Sequence, residues 1–354
     1  MLKIRIFLGK IKRRIFKVFR RFHAFFCALH IKFSGIKNVL LLAPVHDNIG
    51  DHAIALAEKQ YFEEKGIKLY EFSIKSFDGN ERMIAKMLPT NVNIIVHGGG
   101  FLGALWPREE YRIRKVFENF KNHRIVVFPQ TVTFYDKTED DKAFFEESKR
   151  VYSANKNITI FVRDERSYGF MKDNMPDVDV RIVPDIVTLL KPEHKDDVKR
   201  SGVIFCFRRD LEKNLSDDMK AEIAECVAKK YPDCEIVHTD TVEKYHINRS
   251  ERHREVNKKL ELFASSKLVI TDRLHGMVMS VITNTPCIAF GNINGKVKGV
   301  YSWIKNNDFV RYVDTTEQFK EALDSLNLNQ KYEYSIDRKL FAELDAIIGG
   351  SDDK

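Results

Sequence analysis

An arginine and a histidine stand where a buried strand is predicted to pass into a helix. The stretch LVITDRLHGMVMSV, residues 268–281, places Arg273 and His275 directly after a β-branched run. If Asp272 caps that helix, both side chains fall in its first turn, where the helix dipole disfavours a cation. Their presence indicates a bound anion, because a guanidinium binds phosphate or carboxylate in bidentate fashion. The alternative to a bound anion is that these side chains pair with a buried carboxylate of the protein itself.

Further cations also follow predicted strands. Arg163, Arg208, Arg209 and Lys296 each stand at or just beyond the end of an apolar run. Ligands of open parallel α/β sheets bind at the carboxyl ends of the strands. We therefore expect these cations to gather around a small, highly charged substrate.

Two polar segments follow predicted strands in the first half of the chain. HDNIGDHAI, residues 46–54, has more polar side chains than a helix cap requires, although Asn48 or Asp51 is expected to cap the next helix. HGGGF, residues 97–101, offers backbone N–H groups that could cradle an anion or a sugar hydroxyl. A tight turn is the alternative for the glycine run.

The elements that must position these residues alternate between short apolar runs and helical patterns. Continuous Val/Ile/Leu runs indicate parallel strands that are buried on both faces. The predicted strands are 38–43, 67–72, 93–97, 124–128, 158–163 and 179–183, then 203–207, 234–239, 267–271, 286–290 and 309–313. The polar segment 189–202 separates two α/β units.

This pattern predicts an α/β protein of two facing Rossmann-like domains. We place a leader at residues 1–37, a first domain at 38–195 and a second domain at 196–354. An amphipathic stretch at 336–348 is expected to pack back across the junction.

The net positive charge of the chain resides in its first residues. Residues 1–37 contain eleven Lys and Arg and no Asp or Glu, whereas the rest of the chain carries a net charge of −3. A slightly acidic body argues against nucleic acid as a partner. We therefore look for the role of this charge in the leader alone.

The leader has the pattern of a basic amphipathic helix. Its apolar residues recur every three or four positions, at Ile4, Leu8, Ile11, Ile15, Phe19 and Phe22. It is too short and too charged to span a bilayer, so the pattern favours a helix lying in the plane of an anionic membrane. A helix docked on the protein's own body or on a partner is the alternative. Because the α/β pattern begins near Asn38, we expect the leader to be separable from the body.

Cysteines and acidic residues indicate neither disulfides nor a metal site. The five cysteines are scattered, and Cys206 and Cys287 lie in apolar runs, where a free thiol behaves as a small hydrophobe. A reducing cytosol is therefore expected. The chain has no H-E-x-x-H, and its D-x-D pairs lead into strands, so we expect no metal and no cofactor.

Seven segments resemble the polysaccharide pyruvyl transferase family. They are NIGDHAI, HGGGFLG, FPQT, VRDERS, VPDIV, TDRLHG and GKVKGV, in the family's order. The resemblance covers nearly the whole chain after residue 38. It implies a fold like that of the GT-B glycosyltransferases, phosphoenolpyruvate as donor, and a pyruvate ketal formed on a sugar of a cell-surface polysaccharide or its lipid-linked precursor.

The resemblance also implies roles for individual residues. His275 would be the acid/base group and, with Arg273, would bind phosphoenolpyruvate, while Arg163 and Lys296 would be further contacts to this anion. The remaining substrate-binding residues expected are Leu274, Arg208, Asn48, Asp51, Gly98, Gly99, Gly100 and Gln130. The NIGD and HGGG segments would face the acceptor sugar. Many relatives carry Tyr-Asp-Pro before the lysine in the GNINGKVKG loop, which this chain lacks. The choice between Lys296 and Lys298 therefore stays open.

Two other functions stay open from the sequence. A nucleotide-sugar glycosyltransferase of the same fold would also use Arg and Lys to hold a diphosphate. The leader alone would suit a non-catalytic scaffold of a membrane-bound polysaccharide assembly. Both, like the pyruvyl transferase, would work in the cytoplasm at the inner face of the plasma membrane.

Overall fold

The computed structural model describes residues 2–193, 199–210, 214–292 and 294–349, with side chains from residue 16 onward. The expected domain boundary between residues 195 and 196 lies outside these ranges, as do the side chains of Ile4, Leu8, Ile11 and Ile15. Strands β1 to β7 are Asn38–Ala43, Leu69–Ser73, Asn93–Val96, Gly99–Gly103, Ile125–Thr133, Ile158–Val162 and Asp179–Ile182. Strands β8 to β12 are Val203–Cys206, Ile236–Thr239, Leu268–Thr271, Cys287–Phe290 and Val310–Val313.

Helices connect these strands. Helices α1 to α7 are Leu2–Ser34, Ile49–Glu64, Ile74–Phe77, Glu81–Met87, Pro107–Asn119, Glu139–Ser153 and Glu165–Asn174. Helices α8 to α13 are Asp217–Lys230, Arg249–Ala264, Leu274–Ile282, Lys296–Ile304, Thr316–Ser325 and Ala342–Gly349. Short 3₁₀ turns span Ile186–Leu189 and Arg338–Phe341.

The strands form two parallel sheets. The first has the order β2-β1-β3-β5-β6-β7, with β4 beside β5, and the second has the order β12-β11-β10-β8-β9. Each predicted strand is present, β1 with the predicted ends and the others with shifted ends. Strand β4 was not predicted, because its sequence, GGFLG, is glycine-rich and resembles a turn. The expected α/β fold with two Rossmann-like domains is confirmed.

The two domains share a hydrophobic core. Apolar residues of β1 and α2 from the first domain lie in one cluster with those of α9, α10 and α11 from the second. A second cluster covers the other face of the first sheet, and a third covers the other face of the second sheet. The strands are thus buried on both faces, as continuous apolar runs require.

A buried ion pair and a backbone bridge reinforce this contact. Arg252 of α9 reaches into the first domain, where its Nη1 and Nη2 donate to Glu71 of β2 at 2.7 and 2.8 Å. Beside it, the Ile49 N–H donates to the Thr241 carbonyl at 2.7 Å. The C-terminal helix α13 lies against α2, with the Tyr61 hydroxyl donating to Asp345 at 2.7 Å.

The end of helix α1 belongs to the first domain. Ala24, Ala28 and Ile31 are buried in the cluster on the outer face of the first sheet, and α1 contacts α3 and α4. The expectation that the leader is separable is therefore corrected for residues 24–31. The opposite face of the same helix is exposed and aromatic. Among the described helices, none is long and apolar enough to cross a membrane.

Alanine substitutions on the buried and exposed faces of α1 should differ in their effect on stability. Ile31→Ala should lower the free energy of unfolding by about 2–4 kcal/mol, because it leaves a cavity in a packed core. Phe33→Ala, at a position 78% exposed, should change it by less than about 0.5 kcal/mol. Urea denaturation followed by circular dichroism measures both. Equal effects would mean that α1 is not docked as described.

Candidate active site

A cleft opens between the carboxyl ends of the two sheets. Strand β1 has β2 on one side and β3 on the other, and β8 is likewise flanked by β9 and β10. Such reversals of strand order leave a crevice where α/β proteins bind ligands. The loops from both domains enclose about 430 Å³ there. Its lining residues are His46, Asp47, Asn48, Asp51, Gly100, Phe101, Trp106, Glu109, Arg163, Arg208, Asp210, Thr241, Val242, Arg273, Leu274, His275 and Lys296.

Most of the residues expected from the sequence meet in this cleft. They are Asn48, Asp51, Gly100, Arg163, Arg208, Arg273, Leu274, His275 and Lys296. The exceptions are Gly98, Gly99 and Gln130, which lie behind it, and Arg209, which is exposed and does not line the cleft. The Gly98 N–H donates to Glu58 at 2.8 Å, and the Gln130 side chain bonds the backbone of the glycine segment. These groups hold β4 in place.

In the first domain, three adjacent strands build a charged group around Arg163. Its Nη1 donates to Asp185 at 2.6 Å and its Nε to Thr131 at 2.9 Å, and all three side chains are buried. Asp185 Oδ2 also lies 3.5 Å from His275 Nε2. Burial alone would raise the pKa of Asp185, but the charges of Arg163 and His275 hold it well below its usual range. An ionised carboxylate therefore faces the histidine.

Asp185 was missed as a site residue. It lies in the VPDIV segment, which carried the resemblance but was given no role. The sequence did contain a signal for a site residue, because this aspartate stands among apolar residues just after a predicted strand. Its contact with a histidine 90 positions away could not be read from the sequence.

In the second domain, the arginines are paired with carboxylates of the protein. Arg273 donates to both oxygens of Asp240, at 2.7 and 2.9 Å, and to Asp210 at 2.5 Å. Arg208 donates to the other oxygen of Asp210 at 2.8 Å. Arg273 therefore pairs with carboxylates of the protein itself, which is the alternative to a bound anion that the sequence left open. Burial would raise the pKa of Asp210, yet the two arginines lower it to about 2. An anion entering the cleft must share these arginines or displace the aspartates.

Asp272 is not the helix cap that we expected. The N-cap of α10 is Arg273, and no side-chain cap bond is formed there. Asp272 instead accepts the Arg208 backbone N–H at 2.8 Å. Burial raises the pKa of Asp272 to about 6, against the opposing effect of that N–H and of nearby cations. The aspartate thus ties the ends of β8 and β10 together.

Asn48 does cap its helix, as expected for this segment. Its Oδ1 accepts the Gly50 N–H at 3.0 Å, while its Nδ2 donates to Asp51 at 2.8 Å. The neighbouring His52 is buried, and burial lowers its pKa to about 4. His52 is therefore a neutral, structural histidine near neutral pH.

Glycines allow the two domains to approach at this site. A Cβ on Gly50 would lie 2.3 Å from His275 Nδ1, and one on Gly299 would lie 2.5 Å from the Asp164 Cβ. Both glycines belong to segments that carry the resemblance. Lys296, the first residue of α11, lines the cleft, whereas Lys298 lies 5.8 Å from the Tyr312 ring. The geometry favours Lys296 as the lysine of the site.

Fold and site together define a two-domain α/β protein of the GT-B type. Among solved structures, the UDP-GlcNAc 2-epimerase from Methanocaldococcus jannaschii is similar with a TM-score of 0.50 and 12% identity, over 88% of this chain and 99% of that one. At this identity the likeness shows the fold alone. The cleft of the present chain lies between its two sheets.

The sequence family is shown by separate comparisons. Residues 48–294 match the family "Polysaccharide pyruvyl transferase", and the chain belongs to that family. General stress protein 30 from Bacillus subtilis (strain 168) is 33% identical over 82% of this chain and 85% of its own length. Pyruvyl transferase 1 from Schizosaccharomyces pombe is 27% identical over 77% of this chain and 71% of its own length.

The contact between Gly50 and His275 can be tested by adding one methyl group. Gly50→Ala should displace the imidazole and lower turnover at least tenfold, because misplacing a reacting group is costly. Gly169→Ala in α7 is the control, since nothing lies within 4 Å of its added carbon. The comparison is made on the activity proposed below, with melting temperature as a second readout. Equal activity of the two variants would contradict the close approach.

Proposed function

We propose that the protein transfers a pyruvyl group from phosphoenolpyruvate to a sugar of a cell-surface polysaccharide or of its lipid-linked precursor, with release of phosphate. The observation that carries this proposal is the placement of His275 beside the arginines of the cleft. A titratable ring among cations suits a donor that has both a carboxylate and a phosphate and must be protonated. Membership of the family supports the same reading.

The reaction begins at the methylene carbon of phosphoenolpyruvate. Protonated His275 donates its proton there, and the neighbouring carbon becomes an oxocarbenium-like centre. A sugar hydroxyl then bonds to this centre, and a second hydroxyl displaces phosphate to close a cyclic ketal. Histidine suits both acid and base roles, since its unperturbed pKa is about 6.5.

The charged residues would hold the donor and stabilise the leaving group. Arg163 and Arg208, with Arg273 and Lys296, would bind the carboxylate and phosphate and offset the charge that develops on the departing phosphate. Because the arginines are already fixed by aspartates, their orientation costs little when the donor enters. Asp185, whose Oδ2 lies 3.5 Å from His275 Nε2, would hold the imidazole in its orientation.

Donor specificity and a single substitution test this function together. Purified protein with an oligosaccharide acceptor should release phosphate from phosphoenolpyruvate and should not release UDP from UDP-sugars. His275→Gln should lower turnover about 10²- to 10⁴-fold while phosphoenolpyruvate still binds. Phosphate release and calorimetry are the measurements.

The opposite outcomes have distinct meanings. Turnover of UDP-sugars instead would identify a nucleotide-sugar glycosyltransferase. No turnover of either donor would favour a non-catalytic scaffold. Near-wild-type activity of His275→Gln would remove His275 from the mechanism.

We further propose that the exposed face of α1 lies on the anionic cytoplasmic face of the plasma membrane. Phe19, Phe22 and Phe26 are 67%, 59% and 61% exposed, and their spacing puts them on one helical face. That face is opposite Ala24 and Ala28, which are buried against the first domain. An aromatic stripe flanked by basic residues is the composition of an in-plane membrane helix.

Flotation on vesicles tests the membrane proposal. Full-length protein should float with vesicles that contain phosphatidylserine, less so as salt rises, because exposed charges are screened over about 8–10 Å. The triple variant Phe19→Ser, Phe22→Ser, Phe26→Ser should lose flotation. Tyr135→Ser, at an aromatic residue exposed elsewhere, is the control. If all three proteins float alike, the stripe serves another partner.

A further inference from the structure

Trp106 is an exposed aromatic side chain in the cleft, and the mechanism above does not use it. It is 42% exposed and lines the cleft together with Phe101, which is half-buried. Within the part of the chain that the structure describes, the indole has no hydrogen bond and no contact with another ring. A large aromatic side chain that the fold leaves unburied in a cleft is available to a ligand.

The backbone that carries Trp106 is held firmly between β4 and α5. The Gly103 N–H donates to the buried Glu110 carboxylate at 2.9 Å, and the Ala104 N–H donates to the Thr133 carbonyl at 2.7 Å. Gly103 has a φ of +112°, and a Cβ there would lie 2.1 Å from that carbonyl oxygen, so only glycine fits. Trp106 follows as the N-cap of α5. The fold therefore fixes the point at which the indole is attached to the cleft.

The charges of the cleft differ between its two walls. The wall from the first domain has three carboxylates and one arginine, whereas the wall from the second domain has three cations and one carboxylate. The members are Asp47, Asp51, Glu109 and Arg163 on the first wall and Arg208, Arg273, Lys296 and Asp210 on the second. Arg163 shares Asp185 with His275 of the second domain. A trianionic donor is attracted to the second wall and repelled by the carboxylates of the first, which leaves the wall of Trp106 to an uncharged substrate.

The side chains of the first wall suit a sugar ring. A pyranose has hydroxyls along its edges and C–H groups on its faces. These C–H groups pack against the negative face of an aromatic ring, and the contact removes apolar surface from water. Asp47 is half-buried, and among the described residues its carboxylate has no hydrogen bond, so both oxygens can accept bonds from hydroxyls. An aromatic face and a carboxylate on one wall match the two kinds of surface of the ring.

We propose that Trp106 stacks against a hexopyranose ring of the acceptor and that Asp47 accepts hydrogen bonds from its hydroxyls. This inference rests on the proposed function, because it takes the acceptor to be a sugar. Stacking selects a cyclic sugar with at least one apolar face. Trp106 thereby sets the class of acceptor, while the arginines of the second domain set the donor. Both are binding residues, and no bond forms or breaks at either.

Acceptor kinetics of the full-length protein test this inference. Lactose and cellobiose are the acceptors, because their terminal rings differ only in the orientation of one hydroxyl, and phosphate release from phosphoenolpyruvate is measured. Trp106→Ala should raise the acceptor KM at least about tenfold, as truncation of an anchoring tryptophan commonly does, and should leave phosphoenolpyruvate affinity within about threefold. Trp106→Phe keeps an aromatic face and should recover most of the acceptor affinity. Asp47→Ala should raise the acceptor KM at least about fivefold.

Tryptophan fluorescence gives a readout that a merely structural role would not move. The chain has two tryptophans, and the second, Trp303, donates from Nε1 to the Arg163 carbonyl at 2.9 Å. The disaccharides are titrated into His275→Gln with phosphoenolpyruvate present, so that the donor is bound without turnover. The emission should change saturably, and this change should disappear when Trp106→Phe is added. Sorbitol, a polyol without a ring, should leave the emission unchanged.

Tyr111→Ala is the matched control. Tyr111 is an aromatic residue 52% exposed on the same helix, and it lines a surface groove outside the cleft. Its substitution should keep both the acceptor KM and the emission change. A rise in KM shared by Tyr111→Ala and Trp106→Ala would mark a structural effect on α5 and overturn the inference.

The remaining outcomes separate this inference from the proposed function. If the wild-type protein turns over and Trp106→Ala keeps the acceptor KM within about threefold, this inference alone is overturned. It is overturned too if neither disaccharide changes the emission of Trp106. An unchanged KM for Asp47→Ala alone would overturn the hydroxyl contact and leave the stacking. If phosphoenolpyruvate is not turned over while a disaccharide still changes the emission of Trp106, the proposed function fails and the sugar site stands.

Discussion

The ion pair between Arg252 and Glu71 is the contact on which the cleft depends. It joins the second domain to the first, with both side chains buried. Removing one partner of such a pair costs about 3–5 kcal/mol, because the other is left as an uncompensated buried charge. Arg252 also donates to His52 Nδ1 at 3.3 Å, and His52 in turn bonds the His46 carbonyl. The interdomain ion pair is therefore continuous with the loop that lines the cleft.

Electrostatic balance in the cleft follows from strand order. Asp240, Asp210 and Arg273 follow the adjacent strands β9, β8 and β10, so their side chains meet at one edge of the second sheet. The arginines are pre-oriented, yet much of their charge is neutralised before any ligand binds. Preorganised dipoles and charges stabilise a transition state without reorganising. A trianionic donor would be held by the fixed orientation of the arginine side chains as much as by the net charge of the cleft.

Much of the fold was predictable, because parallel strands buried on both faces leave continuous apolar runs. Ligands of parallel α/β sheets bind at the carboxyl ends of the strands, and this tendency also placed Arg163, Arg208 and His275 at one site from the sequence alone. Contacts between distant segments were not predictable. No local pattern indicates that Asp240 pairs with Arg273, or that Arg252 crosses to Glu71.

Two errors have local physical reasons. Asp272 resembled a helix cap because aspartate often occupies that position, but it satisfies the Arg208 N–H of the neighbouring strand end. The leader looked separable because its charge pattern differs from that of the body. Small residues at Ala24 and Ala28 allow the helix to pack closely on the first domain, a signal that charge counting overlooks.

The position of α1 links the proposed membrane contact to the cleft. The helix packs on α3 and α4 of the first domain, which also carries His46 and Asp51. A membrane-bound α1 would therefore hold this domain directly at the surface. The second domain, with most of the cleft arginines, would be carried by the Arg252–Glu71 pair and the shared core. A lipid-linked sugar would then meet the first-domain wall of the cleft before it reaches the arginines of the second domain.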